Sequence, residues 1–442
     1  MVYRRIVRSI DHTLVFATGL VILLSLVAIG SATLEFTDES FSELKNLFLP
    51  LRLLHLDYAF VLKQVLWVLI GLVVMALVLY IPYEDLAKHA RGLYILNLLM
   101  LVAVLFVGRE ALGAQRWIQV GPFVFQPSEF SKLILIVTLA QFLVSREGRL
   151  QRLRDLLPVF VHVGVPTLLV LKQPDLGTSM VFVAIMFGML FLAGARPSTL
   201  AALLGAGMAL LVALFVLHAH LHQAEALLEK QLLALEEEKK TAVAAPAREE
   251  LNKKYEEVFR EYQEASRRHD FFHRHTLKEY QVTRLTIFLD PKSDLLGAGY
   301  HIWQSLIAVG SGGFWGKGLL GGTQSHLTFL PIRHTDFIFS VVGEEAGFLG
   351  SVFLLGLFLL ILYRGIRIAA SARDLLGALM AGGVVSMFAF HVFVNVGMTI
   401  GIMPVVGIPL PFFSYGGSNM IMNLAALGLL LNVYVRRRKI LF

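Results

Sequence analysis

Long apolar segments alternate with shorter polar segments along most of the chain. A membrane-spanning helix needs about 20 mainly apolar residues, and ten segments approach that length. Their approximate limits are 12–33, 61–81, 92–108, 129–145, 157–171, 176–195, 198–218, 336–363, 376–400 and 417–435. The fifth segment is short and the sixth follows it closely, so this pair is the least regular. The pattern predicts an all-α integral membrane protein with about ten transmembrane helices.

The polar loops predict the orientation of these helices. Lys and Arg concentrate in cytoplasmic loops, and an even number of spans places both termini on one side. With the termini inside, every inner segment is basic, from Arg4 and Arg5 to Arg437 and Lys439, whereas the outer loop 401–416 has neither Lys nor Arg. We therefore expect both termini to be cytoplasmic.

The link between the seventh and eighth segments begins with an unusual insert, at about 219–280. Its composition changes to Glu, Lys, Arg and Gln, and apolar residues recur at heptad spacing on both sides of Pro246. This pattern predicts an extracytoplasmic charged helical hairpin with a coiled-coil-like seam. A docking surface for a partner and a solvated charged helix without a partner are both open interpretations. The expected organisation is helices 1–7 in 1–218, the insert in 219–280, an extracytoplasmic loop that carries candidate chemistry in 281–335, and helices 8–10 in 336–442.

Composition and charge narrow the function classes. The chain of 442 residues is 56% hydrophobic and 16% charged, whereas soluble proteins are about 45–50% apolar and about 25% charged. The net charge of +7 fits basic cytoplasmic loops. The chain has no basic face with interleaved aromatic residues, so we expect no nucleic-acid partner. It has no Cys, which excludes disulfides, thiolate nucleophiles and cysteine metal sites.

Two polar stretches lie in outer loops of the first half of the chain. In the first stretch (113–132), Glu129 and Lys132 are three residues apart on one helix face, with Arg116 and Trp117 above them. An interfacial anchor with a structural ion pair is the alternative interpretation. In the second stretch (172–179), Asp175 follows a proline and either caps the next helix or projects into a cleft.

The third stretch (288–325) is polar and rich in glycine. Asp290 precedes a proline, which favours a turn or helix start, whereas Asp294 precedes Gly-Ala-Gly-Tyr. Glycines allow close backbone approach, and their N–H groups can cradle phosphate. No Walker pattern follows, so we do not expect nucleotide binding. A mobile connector is the alternative.

The fourth stretch (329–347) brings charged residues to the start of the eighth span: Arg333, His334, Asp336, Glu344 and Glu345. Asp336 is three residues from Arg333 and can pair with it, and the two glutamates need partners or water inside the span. The stretch has no His-x-x-x-His spacing, which disfavours a zinc site.

The fifth stretch (404–418) contains three prolines and a Gly-Gly pair before the last span, with Ser414 and Ser418 as hydrogen-bonding candidates. Irregular backbone near lipid is tolerated where it is buried in protein or lines a cavity. All five stretches lie on the outer side in the predicted topology. They predict a site at the outer membrane surface for a ligand with a polar head and a lipid tail.

At these residues the sequence closely resembles the SEDS family (shape, elongation, division and sporulation). The matching motifs are Gly113…Arg116-Trp117…Gln126-Pro-Ser-Glu129…Lys132; Gln173-Pro-Asp-Leu-Gly-Thr178; Asp294…Gly297-Ala-Gly-Tyr300…Gln304-Ser305; Leu330-Pro…His334-Thr-Asp-Phe-Ile-Phe339…Glu344-Glu345…Gly347; and Pro404…Gly407…Pro409…Pro411…Ser414-Tyr-Gly-Gly-Ser418. The run from Gly322 to Pro331 is more similar to the rod-shape, cell-elongation branch (RodA-like) than to the division branch.

The resemblance implies a peptidoglycan glycosyltransferase that polymerises lipid II, an undecaprenyl-diphosphate-linked disaccharide peptide, at the outer face of the bacterial cytoplasmic membrane. It also implies a class B penicillin-binding protein (PBP2-like) as partner, surrounding membrane lipid, and a divalent cation, Mg²⁺ or Mn²⁺, with unknown ligands. The sequence departs from the family twice. The insert is longer than expected, and Ile332 stands where we expect a Glu.

The resemblance also implies roles for individual residues. Asp294 matches the essential acid of the family and is our candidate general base. The residues expected to bind substrate or diphosphate are Arg116, Trp117, Lys132, Arg333, Ser414 and Ser418. The residues expected to have supporting roles are Glu129, Asp175, Gln304, His334, Asp336 and Glu345. Two alternatives use the same surface. One is a flippase or transporter for the lipid-linked precursor, and the other is a non-catalytic scaffold for a penicillin-binding protein.

Overall fold

The computed structural model describes residues 10–34, 52, 56–111, 114–120, 123–241, 245–276, 279–291, 294, 297–326 and 333–437. Its helices are α1 (His12–Ala32), α2 (Tyr58–Tyr80), α3 (Tyr83–Lys88), α4 (Ala90–Val107), α5 (Pro127–Val144), α6 (Leu153–Lys172), α7 (Leu176–Leu192), α8 (Pro197–Thr241), α9 (Ala245–His275), α10 (Glu279–Leu289), α11 (Ala298–Ser311), α12 (Thr323–His326), α13 (Ile338–Ala370), α14 (Leu375–Thr399) and α15 (Gly417–Val435). Its strands are β1 (Arg109–Ala111), β2 (Ala114–Val120) and β3 (Phe123–Phe125).

The predicted spans correspond to apolar helices. Among the described residues, nine helices are long and apolar enough to cross a membrane, and α7 is a shorter apolar helix. The helical fold class with about ten spans is therefore confirmed. The fifth span is longer than expected, because α6 has 20 residues despite Pro158 and Pro166 inside it.

The chain forms two compact units. The first unit contains Met1–Pro197 and Pro291–Phe442, and the second contains Ser198–Asp290. In the first unit, α15 packs against α2, while α14 packs against α7 and α13. The most apolar window of α15 is 78% buried and that of α2 only 11%. The last helix is therefore central in this bundle, and α2 exposes most of its apolar surface, as a lipid-facing helix does.

Short polar links hold the helix ends of the first unit. Asp11 caps α1 by accepting a hydrogen bond from Leu14 N at 3.0 Å, and Arg364 near the end of α13 donates to its other oxygen at 2.9 Å. Asp374 caps α14 in the same way, accepting from Gly377 N at 2.8 Å. A carboxylate at a helix start satisfies backbone N–H groups that have no partner within the helix.

The first stretch differs from the sequence-based expectation of an ordered turn. Together with the preceding residues 109–111 it forms a three-stranded antiparallel sheet in the order β1-β2-β3, in which Arg109 pairs with Trp117 and Ile118 pairs with Phe125. Strand pairing satisfies the backbone groups that a turn would leave to water. This small sheet leads directly into α5.

The second unit contains the insert. Its first helix, α8, continues without interruption from the seventh predicted span to Thr241, and Pro246 lies in the first turn of α9. The helices α8 and α9 are antiparallel, since the Tyr255 hydroxyl donates to Glu236 Oε1 at 3.2 Å and the later His269 lies 2.6 Å from the earlier Glu225. Leu232 and Phe272 are buried. The expected pair of helices is present, with the first one fused to a transmembrane segment.

Candidate functional site

The five polar stretches, which are separated by up to 300 residues in the sequence, are joined by hydrogen bonds in the first unit. Ser128 of the first stretch donates to Asp175 Oδ2 of the second at 3.0 Å. The backbone nitrogen of Gln126, also in the first stretch, donates to Ser418 Oγ of the fifth at 3.1 Å. Three stretches thus meet at the N-terminal ends of α5, α7 and α15.

The other two stretches extend this network. Tyr415 N of the fifth stretch donates to the backbone oxygen of His334 in the fourth at 2.9 Å. Ser305 of the third stretch shares a hydrogen bond of 2.7 Å with Ser340 of the fourth. All five stretches therefore lie at one end of the bundle, as the predicted topology requires.

Asp175 is the polar centre of the region where α5 and α7 begin. It caps α7, with Oδ1 accepting from Thr178 N at 3.0 Å, and its Oδ2 accepts from Ser128 and Gln126 at 3.0 and 3.2 Å. The residue is only 3% exposed. Of the two interpretations of Asp175, helix capping is the one that the geometry supports.

Arg116 lies beside this centre with spare hydrogen-bonding capacity. Its guanidinium carbon is 4.5 Å from the centroid of the Trp117 ring, a cation–π arrangement, and its Nη1 is 3.9 Å from Asp175 Oδ1. Among the described residues, its buried Nε has no hydrogen-bond partner, and a quarter of the side chain is exposed. Arg116 is thus oriented by its neighbours and still able to donate to an anion.

Lys132, by contrast, is deeply buried in an internal ion pair. Its Nζ donates to Glu129 Oε2 at 2.9 Å and lies 3.1 Å from His391 Nε2, and Lys132 is 1% exposed. His391 Nδ1 lies 2.8 Å from the backbone oxygen of Met387, so Nδ1 donates and Nε2 accepts the ammonium. The predicted Glu129–Lys132 pair is present, while diphosphate binding by Lys132 stays a prediction.

Arg333 and His334 occupy the turn before α13. Arg333 donates to the backbone oxygens of Ala32 and Leu34 at the end of α1 and is 6% exposed. The His334 ring packs edge-on against the Phe60 and Tyr415 rings, with both centroid distances 5.6 Å, and these two rings also contact each other at 5.2 Å. Burial, followed by the nearby guanidinium, lowers the pKa of His334 below its usual value, so its imidazole is neutral at pH 7.

The two serines of the fifth stretch fasten the loop. Ser414 is fully buried, donates to Thr335 O at 2.7 Å and accepts from Leu410 N at 2.8 Å. Ser418 is half-buried and accepts the hydrogen bond from Gln126 N of the first stretch. Asn395 of α14 adds to this closure by donating to the backbone oxygens of Asp336 and Ile408 at 2.8 and 2.7 Å. The loop is therefore rigid and buried in protein, as expected.

The two glutamates of α13 hold the glycine-rich part of the third stretch. Glu344 is fully buried, and its Oε1 accepts from Lys317 Nζ at 2.7 Å and from Gln324 N at 3.0 Å. Glu345 Oε1 accepts from Leu320 N at 3.1 Å. The partners that these carboxylates require inside the span thus come mainly from the glycine-rich loop, and Ser31 of α1 also donates to Glu345 Oε1.

The glycine-rich loop also pairs with an unwound turn of α13. At Gly347 the helix backbone has φ +65°, and a Cβ there would lie 2.2 Å from the backbone nitrogen of Gly316. The backbone nitrogen of Phe348 donates to Gly313 O at 2.9 Å. The loop is therefore docked by its backbone, which argues against a freely mobile connector.

Asp294 lies just before α11, and its side chain is exposed. A Cβ at Gly297 would lie 2.3 Å from Asp294 Oδ2 and 2.7 Å from Oδ1, so the carboxylate lies directly against the Gly297 backbone and a larger residue there would displace it. Gly299 N donates to Asp294 O at 3.1 Å. The carboxylate thus lies at a helix N-terminus, where the helix dipole favours negative charge.

One turn further along α11, two polar atoms lack partners. Gln304 Oε1 and His301 Nδ1 are buried and, among the described residues, have no hydrogen-bond partner. Such groups are costly to bury unpaired. Both belong to the helix that Asp294 precedes, so they are candidates for ligand contact. The motif residues thus divide into a supporting framework and a smaller group that can contact a ligand, in which Gln304 and Arg116 have unpartnered buried atoms among the described residues and Asp294 is exposed.

The described residues of the first unit do not offer a ready-made site for the expected divalent cation. Within the described residues, two groups of three His or Glu side chains bring their ligand atoms within 4.8 Å of one another. Both groups lie in the second unit. Those groups are rich in histidine, whereas Mg²⁺ requires oxygen ligands. No step of the reaction is therefore assigned to a metal held by this framework.

Sequence reasoning missed several partners. His391 and Asn395 lie in the C-terminal half of the apolar helix α14, and only the structure reveals that they contact Lys132 and the fifth stretch. The His-x-x-x-His spacing that the fourth stretch lacks occurs at His218 and His222, and again at His269 and His273. That spacing was visible in the sequence, but the first pair starts at the last residue of the seventh predicted span and the second pair lies in the insert, where no chemistry was expected. Ile332 lies outside the described residues.

The chain matches the model of the cell cycle protein family FTSW_RODA_SPOVE over residues 12–238 and 269–439. It is 37% identical over 384 residues to the peptidoglycan glycosyltransferase MrdB of Escherichia coli K12, covering 86% of this chain and 87% of the relative. It is 39% identical over 396 residues to the peptidoglycan glycosyltransferase RodA of Treponema pallidum, covering 85% of this chain and 90% of the relative.

A solved structure of a peptidoglycan synthase complex that coordinates polymerization and crosslinking has a chain with a TM-score of 0.65 to this one. The two chains are 31% identical, and the match covers 97% of this chain and 99% of the other. The family match spans nearly all described helices of the first unit, together with the network that joins the five stretches. The chain therefore belongs to the FtsW/RodA/SpoVE family of multi-pass membrane proteins, and within this family it is a RodA-like peptidoglycan glycosyltransferase.

Proposed function

We propose that this glycosyltransferase polymerises lipid II into glycan strands during cell elongation, at the outer face of the bacterial cytoplasmic membrane, with Asp294 as general base. The 4-hydroxyl of one lipid-linked disaccharide attacks the anomeric carbon of another. A glycosidic C–O bond forms, the anomeric C–O bond to the diphosphate breaks, and the hydroxyl proton passes to the Asp294 carboxylate. The polyprenyl diphosphate leaves with the electron pair.

The observation that carries this proposal is the exposed Asp294 carboxylate against Gly297 at the start of α11. An alcohol is a weak nucleophile, so a base must accept its proton as the new bond forms. The other acids of the motifs are less suited to this role. Asp175, Glu129, Glu344 and Glu345 are buried and hold structural hydrogen bonds.

The leaving diphosphate needs positive charge or strong donors nearby. Arg116 is the best supported of the three predicted cations, because its buried Nε lacks a partner among the described residues, whereas Lys132 and Arg333 donate to protein groups. A guanidinium binds phosphate oxygens in a bidentate manner. Trp117 orients Arg116, and Gln304 is a candidate for contact with the sugar.

The proposal includes a divalent cation, Mg²⁺ or Mn²⁺. Diphosphate oxygens supply several ligands to Mg²⁺ in other sites, with only one or two carboxylates from protein. A cation of this kind would arrive with the substrate and neutralise the charge of the leaving group.

We also propose a class B penicillin-binding protein (PBP2-like) as partner. The similar solved chain belongs to a complex that coordinates polymerization with crosslinking. Crosslinking requires a transpeptidase, which the partner would supply.

The decisive experiment supplies labelled lipid II to the purified full-length protein, alone and with its partner, and separates glycan polymers by length. We expect polymer from the wild type and none from Asp294→Asn, which keeps the shape of the side chain but cannot accept the proton. Asp290→Asn is the matched control, since Asp290 is an exposed aspartate four residues away, and we expect it to retain activity.

Elution volume and partner binding must be unchanged in both variants. Equal polymer from Asp294→Asn and the wild type would overturn the assignment of the base. Transport of lipid II across vesicles without polymer would instead support a flippase, and polymer from the partner alone would support a scaffold.

A further inference from the structure

A cluster of histidines lies where α8 and α9 pair in the second unit. His218 comes from α8, and His269 and His273 are one turn apart on α9. Each offers a ring nitrogen, and these three nitrogens lie within 4.8 Å of one another. The ring centroids of His218 are 5.2 Å from His269 and 5.1 Å from His273.

The cluster occupies the seam between the helices. On α9, residues 251, 255, 258, 262 and 265 are less exposed than their neighbours, and the same heptad spacing continues to His269 and the buried Phe272. On α8 the corresponding face continues back from Leu232 to His218. A coiled-coil seam normally takes apolar residues. Imidazoles at these positions are costly unless their polar atoms have partners.

The polar atoms of the cluster are arranged as metal ligands are. His269 Nδ1 lies 2.6 Å from Glu225 Oε2, so Nδ1 is the donor to this carboxylate and Nε2 is the ring nitrogen that can coordinate a metal ion. A carboxylate that orients a histidine in this way is the usual support for a metal-bound imidazole. Glu225 lies two turns along α8 from His218, on the same seam.

The other ring nitrogen of His269 faces the second ligand. His269 Nε2 and His273 Nε2 are 3.1 Å apart. Two imidazole nitrogens bound tetrahedrally at about 2.0–2.1 Å from one zinc ion are roughly 3.3 Å apart. The two α9 histidines are therefore already at the separation that a shared metal ion requires.

The third ligand is an orphaned nitrogen. His218 Nδ1 is buried and has no hydrogen-bond partner among the described residues. Its ring lies beside both α9 histidines and adjoins Phe272, at a centroid distance of 5.9 Å. Coordination of a metal ion would give this buried nitrogen the partner that it lacks among the described residues.

We propose that the insert binds one Zn²⁺-class transition-metal ion through His218, His269 and His273, with Glu225 orienting His269. Three imidazoles suit Zn²⁺ and neighbouring transition metals, and they do not suit Mg²⁺ or Ca²⁺, which take oxygen ligands. Water completes a fourth position. The ion links α8 to α9 and so holds the hairpin closed. The proposal is independent of the glycosyltransferase mechanism, which uses residues of the first unit.

The test uses the full-length protein in detergent, purified without a histidine tag and stripped with a chelator. Zn²⁺ is titrated calorimetrically, and bound metal is counted by mass spectrometry after desalting. We expect one ion per chain in the wild type and an affinity loss of about 100-fold or more in His269→Ala. His220→Ala is the matched control, because His220 is exposed on the same helix and outside the cluster, and its affinity should be unchanged.

Glu225→Gln tests the orienting role, and it should weaken Zn²⁺ binding by about 10- to 100-fold while leaving one ion per chain. Co²⁺ provides a signature of the geometry, since a tetrahedral site with nitrogen ligands gives intense visible d–d absorption that His269→Ala should lose. Zn²⁺ should also slow tryptic cleavage of the Lys- and Arg-rich hairpin in the wild type and in His220→Ala, but not in His269→Ala.

Circular dichroism identifies any variant that fails to fold, and Glu225→Gln, which keeps the packing volume, then decides the question. Wild-type protein that binds no Zn²⁺, or equal affinity in His269→Ala and His220→Ala, would overturn the proposal and leave the histidines as packing residues. Neither result would affect polymer formation by the first unit, so failure of this inference is separable from failure of the proposed function.

Discussion

Removal of the buried carboxylate at Glu129 gives the sharpest test of how the framework is stabilised. Glu129 and Lys132 lie 2.9 Å apart with side-chain exposures of 5% and 1%. At that distance and an effective dielectric constant of about 20, Coulomb attraction is about 6 kcal/mol. Desolvation of both ions offsets most of this attraction, so the pair contributes little net stability. Removing one partner is different, because the desolvation cost of the other remains.

We therefore expect Glu129→Gln to lower the free energy of unfolding by about 3–5 kcal/mol. The Lys132 ammonium stays buried, with the neutral His391 nitrogen 3.1 Å away unable to balance its charge. The double variant Glu129→Gln with Lys132→Met removes both charges and should be less destabilised than Glu129→Gln alone. Steric trapping of the full-length protein in bicelles measures these free energies directly.

The control is an exposed pair of the same chemistry. Glu249 and Lys253 lie 3.3 Å apart with side chains about three-quarters exposed (73% and 76%), and such pairs contribute about 0–1 kcal/mol. Glu249→Gln should therefore change stability by less than about 1 kcal/mol. If Glu129→Gln costs no more than this control, or if the double variant is the less stable of the two, the argument from burial is refuted.

Three further predictions concern positions in the site. Gly297→Ala places a Cβ 2.3 Å from Asp294 Oδ2, so it should displace the carboxylate and reduce polymer formation by about 100-fold at unchanged partner affinity. Gly310→Ala is the control, because its Cβ meets open space, and it should leave polymer formation unchanged. Equal losses in the two variants would contradict the reasoning. Arg116→Ala should lower kcat/KM for lipid II by about 10- to 100-fold through lost charge-assisted hydrogen bonds, with wild-type rates counting against diphosphate binding. Gly347→Ala combines a φ of +65° with a backbone clash, so it should cost more than about 1 kcal/mol and expose the glycine-rich loop to protease; unchanged proteolysis would contradict the docking.

The sequence determined the spans well, for a physical reason that acts locally. Any segment that crosses lipid must satisfy its backbone internally and be apolar throughout, so the pattern alone predicts α2, α14 and α15 to within a few residues. The insert was predicted as helical by its heptads, but its continuity with the seventh span was not. A change from apolar to charged side chains marks the membrane surface, and it does not end a helix.

Part of the candidate site was also predictable from local sequence. The spacing of Glu129 and Lys132 predicts an ion pair because residues three apart share a helix face, and Asp175 predicts a cap. The glycines after Asp294 predicted close approach of the backbone, and the resemblance to the SEDS family supplied the catalytic role that the residues alone left between Asp290 and Asp294.

Only the tertiary structure decided which charged groups form hydrogen bonds within the framework and which can still contact a ligand. The burial of Lys132 against His391, the reach of Arg333 to α1, and the gathering of His218 and His269 into one cluster all depend on contacts between residues far apart in the chain. Sequence periodicity reports which face of a helix is buried, whereas the partner on that face is set by packing between helices. The sequence by itself therefore determined a membrane bundle with its polar motifs on one side, and the fold determined what each polar group has left to bind.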